Sequence, residues 1–124
     1  MTLRLRHLLT ATGALAVLGG ATAQSAISPP KSAPVVVRTG DFFYLPKVAT
    51  VRVGQQLIFK NVGKAPHTVA NTDARGTILS TLIKPRQLDR GDTQRVVFKK
   101  PGLVRYICTF HPTLMRGQIK VVAG

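Results

Sequence analysis

Glutamate is absent from this 124-residue chain, and its only acids are Asp41, Asp73, Asp89 and Asp92. Eighteen lysines and arginines stand against them, for a formal net charge of +14. Such a charge draws the protein toward something acidic. Nucleic acid is the default partner for a basic cytosolic chain. Here the cations are spread along the sequence, with no run longer than Lys99-Lys100. That spread fits a solvated basic surface as well as a docking patch, and it argues against a nucleic-acid stripe.

Cysteine is nearly as scarce, since Cys108 stands alone. One thiol excludes an internal disulfide. In an oxidising compartment a leftover thiol is a liability unless it is deeply buried or has a job. A membrane-spanning run is missing too. The apolar stretch Leu8–Leu18 falls short of the roughly 18–20 residues a span needs. It follows Arg4 and Arg6 and precedes Ala21-Thr22-Ala23, the layout of a secretory signal with a small-x-small cleavage site. There is no twin-arginine pair, and no cysteine near the cleavage site to take a lipid. The expectation is therefore an export signal over 1–23, a flexible segment over 24–33 and one domain over 34–124. The mature chain would be periplasmic in a Gram-negative cell and not stably inserted in a membrane.

Helical periodicity is also lacking. The domain alternates apolar and polar residues instead. Val35 and Val37 are expected to face inward, with Arg38 facing water. Val51 and Val53 oppose Arg52; Leu57 and Phe59 oppose Lys60; Val96 and Phe98 oppose Arg95 and Lys99. Val104, Tyr106 and Cys108 share a face away from Arg105, and Ile119 and Val121 face away from Gln118 and Lys120. A period of two marks half-buried strands. Several such runs, punctuated by Gly54 and Pro101-Gly102, predict an all-β Greek-key sandwich or barrel. Residues 72–93 lack a clear period and read as a long connection with room for a short helix or an edge strand.

The chemistry gathers in Tyr106-Ile107-Cys108-Thr109-Phe110-His111-Pro112-Thr113-Leu114-Met115. Cys108 ends a strand on its core-facing side. His111 and Met115 follow at turn spacing, so thiolate, imidazole and thioether can fold around one point. A second imidazole, His67, follows Asn61-Val62-Gly63-Lys64-Ala65-Pro66. His7 lies in the export segment and is set aside. Two imidazoles, one thiolate and a weak thioether make up the donor set of a trigonal blue-copper site. Soft sulfur suits Cu(I), and imidazole serves both oxidation states. Phe110 and Leu114 would limit water access.

The sequence resembles the cupredoxins, nearest the plastocyanin, amicyanin and pseudoazurin group, over about Phe42 to Val122. Tyr44-Leu45-Pro46 with Val51 and Gly54 is similar to that group's early pattern. Asn61…Pro66-His67-Thr68-Val69 resembles its first histidine segment, and Pro101-Gly102…Tyr106-x-Cys108-x-x-His111-Pro112…Met115-Arg116-Gly117 resembles its closing segment. The resemblance implies one copper ion with His67, Cys108 and His111 as strong ligands and Met115 as the weak axial one. It also implies that the Thr68 backbone N–H tunes the sulfur. Pro112, Thr113 and Leu114 give a His-to-Met gap of three, between the amicyanin and plastocyanin lengths. That departure bears on the Met115 bond alone.

The resulting expectation is a monomeric one-electron carrier, not an enzyme. It would meet a redox partner protein that is acidic at its docking surface, through apolar residues near His111. Copper delivery, storage or sensing would use the same ligands. A Cys–His nucleophile pair has no orienting carboxylate nearby in the sequence.

Overall fold

The structure, a computed structural model, describes residues 32–124. The expected export segment 1–23 lies outside the described residues, as does 24–33 up to its last two positions. Eight strands follow: β1 (Val35–Gly40), β2 (Phe43–Leu45), β3 (Val48–Arg52), β4 (Gln56–Asn61), β5 (Ala70–Thr72), β6 (Thr93–Val97), β7 (Gly102–Ile107) and β8 (Arg116–Val122). Among the described residues there is no α-helix, and no helix long and apolar enough to cross a membrane.

The strands form two four-stranded sheets, ordered β2-β1-β4-β6 and β3-β8-β7-β5. Pairs β1·β4 and β3·β8 are parallel, and the other neighbours are antiparallel. This is the expected β-sandwich. Alternation drives it, because each strand turns one side-chain row toward the facing sheet. Along β3, Ala49 and Val51 are buried between exposed neighbours, and along β8 Gly117, Ile119 and Val121 are buried between exposed or half-buried ones. Leu57, Phe59, Val96, Phe98, Val104, Tyr106 and Cys108 are buried as their spacing predicts. Val35 and Val53 are only partly buried, since they sit at the rim and pack against the core from its edge.

Three aromatic rings join the sheets. Tyr44 meets Tyr106 at 4.8 Å and Phe59 at 6.4 Å, and Phe59 meets Tyr106 at 5.2 Å, all edge to face. That geometry is favoured by the ring quadrupoles. The fit depends on Gly117, where a Cβ would lie 2.3 Å from the Tyr106 ring and hydroxyl.

The connection after β5 holds neither a helix nor a paired strand. It is pinned by polar groups instead. The Asn71 side chain donates to Thr81 Oγ1 and accepts from the Leu82 and Ile83 N–H groups, while Asp73 accepts from Arg75 and Thr77. The Asn71 bonds bring Ile83 into the core, and a backbone pair with His67 brings in Leu88, so the two stand as isolated apolar anchors with no period visible in the sequence.

Candidate metal centre

Both hairpins whose strands are consecutive in sequence and paired, β1–β2 and β7–β8, turn at the end of the sandwich where the β4–β5 loop also lies. Asn61 organises that loop. Its side chain is fully buried, donates to the Ala65 and Leu88 carbonyls at 2.9 and 2.8 Å, and accepts from Gly63 N–H at 2.8 Å. His67 is then fixed by its backbone. Its N–H donates to the Leu88 carbonyl at 3.0 Å, and its carbonyl accepts from Leu88 N–H at 2.8 Å. The imidazole is fully buried.

The β7–β8 loop closes on itself. Cys108 N–H donates to the Met115 carbonyl at 3.1 Å, His111 N–H to the Cys108 carbonyl at 3.2 Å, and Met115 N–H to the His111 carbonyl at 2.9 Å. Arg116 Nε braces the loop from outside through the Pro112 carbonyl at 2.9 Å. The Cys108 and Met115 side chains are fully buried, and His111 is half-buried.

All four side chains singled out in the sequence come from these two loops. His67 Nδ1 faces Cys108 Sγ at 3.9 Å. The two imidazole rings are 5.6 Å apart between centroids. A trigonal ion with bonds of about 2.3 Å to sulfur and about 2.0 Å to nitrogen would separate S and N by about 3.7 Å, and ring centroids by about 5.4 Å. The observed spacings fit that donor set. Among the described residues, no three His, Cys, Asp or Glu side chains form a closed metal-holding group by themselves. The fit therefore rests on the pairwise spacings and on the buried thioether of Met115.

Around the sulfur, Thr68 N–H points at Sγ from 3.4 Å and Thr68 Oγ1 from 3.8 Å. Thr68 is held in turn. Tyr44 donates its hydroxyl to the Thr68 carbonyl at 2.7 Å, and Thr109 N–H donates to Thr68 Oγ1 at 2.7 Å. A donor aimed at sulfur stabilises its anionic form.

Sequence reasoning missed two residues of the β1–β2 turn. Asp41 Oδ1 lies 3.0 Å from His67 Nε2. Backbone N–H bonds from Lys64 and Ala65, with the His67 contact, draw the Asp41 carboxyl down to about 2. Phe42 sets its ring edge-on to His111 at 4.9 Å. It does so from a left-handed backbone, φ 71°, which is uncommon for a bulky residue. The Gly40-Asp41-Phe42 stretch signals a turn, but nothing local shows which histidines that turn will touch.

Residues 32–122 match the family model described as copper binding proteins, plastocyanin/azurin family. No curated protein sequence gives a significant match. Among solved structures, a purple cupredoxin from Nitrosopumilus maritimus is similar at 27% identity and TM-score 0.64, covering 73% of this chain and 99% of that one. Amicyanin from Paracoccus versutus is similar at 25% identity and TM-score 0.61, covering 77% and 86%. A copper-containing nitrite reductase from Thermus scotoductus is similar at 28% identity and TM-score 0.61, covering 79% of this chain but 24% of that longer one.

Proposed function

The chain belongs to the plastocyanin/azurin family of copper-binding proteins, and from that premise we propose that it is an exported, monomeric one-electron carrier with a type 1 copper site formed by His67, Cys108, His111 and Met115. The family's cofactor is a single copper ion. Bound here, it would supply a Cu(II)/Cu(I) couple.

The observation that carries the proposal is the sulfur environment. Cys108 Sγ is fully buried, faces His67 Nδ1 and receives the Thr68 N–H. A buried sulfur suits a metal ligand better than a nucleophile, which needs access to a substrate. The residues' own work is to keep the donor set still. The loop around His67 is tied by Asn61, and the Cys108–Met115 loop is tied by its own backbone. A site that reorganises little between oxidation states lowers the barrier to electron transfer.

His111 is the half-exposed ligand, and the surface beside it is apolar. Phe42, Phe110 and Leu114 are exposed around its loop, Leu114 by 67%. On one flank Lys47, Arg75, Arg105 and Arg116 line a shallow cleft with Asp73 as its only acid. An apolar contact at His111 with cations alongside suits an acidic partner, and charge would raise the on-rate at low salt. Partner reduction rates that ignore a doubling of ionic strength would refute that steering.

The deciding test is the visible spectrum of the purified chain with Cu(II), alongside Cys108→Ser. An intense charge-transfer band that bleaches with reductant, returns on reoxidation and is lost in Cys108→Ser is the expected result. A folded, reduced-thiol protein with no such band would refute the electron-carrier reading and favour metal handling.

A further inference from the structure

The β1–β2 turn contributes a carboxylate that lies outside the proposed ligand set and yet is more tightly held than most surface acids. Asp41 Oδ2 accepts the Lys64 N–H at 3.0 Å, and Oδ1 accepts the Ala65 N–H at 3.0 Å. Its side chain keeps 35% exposure, while the imidazole it meets has none. The backbone is shaped to admit it. A Cβ on Gly63 would lie 2.2 Å from Asp41 Oδ1 and 2.8 Å from its backbone nitrogen. Position 63 therefore has to be glycine for the carboxylate to seat.

An ionised carboxylate only accepts hydrogen bonds. In its 3.0 Å contact with His67, the imidazole Nε2 must therefore be the donor. A neutral ring with its proton on Nε2 has a free lone pair on Nδ1, and Nδ1 is the atom facing Cys108 Sγ at 3.9 Å. Because His67 is fully buried, its Nε2–H has no solvent to turn to instead. Bonds of this kind set which imidazole nitrogen is free for a metal.

We propose that Asp41 is a positioning residue. It locks His67 in the Nε2–H tautomer and fixes its ring, so that Nδ1 is the nitrogen presented at the Cys108 end of the sandwich. The proposal rests on the reading above only in naming copper as what Nδ1 would bind. The lock itself belongs to the metal-free chain.

The first measurement is nitrogen-15 NMR of the histidine side chains in the metal-free wild-type protein near neutral pH. A single Nε2–H tautomer at His67 is expected, and an Nδ1–H tautomer would overturn the proposal. The second compares Asp41→Ala with Asp41→Asn. Asp41→Ala should give a mixture of tautomers and lose about 10- to 100-fold in Cu(II) affinity. Asp41→Asn keeps an acceptor for Nε2–H and should retain the tautomer and most of the affinity. An Asp41→Ala protein with the wild-type tautomer and affinity would overturn the proposal, as would equal losses in both variants. If Asp41→Ala does not fold, the wild-type tautomer and Asp41→Asn decide the matter. A locked tautomer in a chain that gives no blue band would refute the copper reading and leave the lock established.

Discussion

Replacing Asn61 with alanine tests whether one buried amide holds the first histidine in place. The side chain is fully buried and makes three hydrogen bonds, to the Ala65 and Leu88 carbonyls and from the Gly63 N–H. At a net value of about 1 kcal/mol each, their loss costs about 3 kcal/mol. Stranding the Gly63 N–H without a partner raises that figure. The Leu88 carbonyl still receives the His67 N–H at 3.0 Å, which lowers it. We expect a loss of about 2–4 kcal/mol in the metal-free protein, or about 10–25 °C in Tm for a domain of this size. The assay is equilibrium unfolding in urea, with the dependence on denaturant compared between wild type and variant. An unchanged slope with a loss under about 1 kcal/mol would refute the reasoning, because the amide would then be replaceable by water. Asn61→Asp sharpens the test. It keeps an acceptor for the Gly63 N–H but turns an oxygen toward two carbonyls, so it should cost at least as much.

Both tyrosines of the chain should resist ionisation. Burial raises the Tyr106 phenol, and burial together with the nearby Cys108 and Tyr106 groups raises Tyr44. Ultraviolet titration of the native protein should show no phenolate at pH 11, whereas the unfolded chain titrates near pH 10. The stability tied to the neutral phenols is fully present below about pH 10 and is lost as pH rises above it; a native phenolate signal near pH 10 would contradict this. The two hydroxyls differ in bonding, since Tyr44 donates to Thr68 while the Tyr106 hydroxyl has no partner. Tyr44→Phe should therefore cost about 1 kcal/mol and Tyr106→Phe about nothing, a contrast that thermal denaturation would reveal or deny. Gly117→Ala forces a Cβ to 2.3 Å from Tyr106 and should cost about 1–3 kcal/mol; an unchanged Tm would show that the ring has room. Met115 is fully buried, so Met115→Ala should destabilise even the metal-free protein by about 2–5 kcal/mol. A loss seen only in the copper-loaded form would mean that the side chain does not pack.

The sandwich and its core were legible because strand alternation is a local property. Val51, Phe59, Val96, Tyr106 and Ile119 each declare their face through their neighbours two positions away, and all are buried. The Cys108–His111–Met115 segment was legible for the same reason, since one short loop carries all three. Strand β5 was harder, because Ala70-Asn71-Thr72 is short and buried throughout. With no exposed partner row there is no alternation to read. The connection after it hides its anchors, because Ile83 is held through the Asn71 side chain and Leu88 through Asn61 and the His67 backbone.

The sequence alone therefore determined the architecture and which two loops carry the imidazole, thiol and thioether side chains of the proposed site, because periodicity and loop spacing are written between near neighbours. Tertiary structure decided which nitrogen of His67 faces the sulfur, through Asp41, 26 positions away. It also decided that Phe42 would lean on His111 and that Asn61 would tie the His67 loop to Leu88. These contacts depend on where separate turns meet once the sheets have packed, and short polar side chains that bond to distant groups leave no periodic trace in the chain.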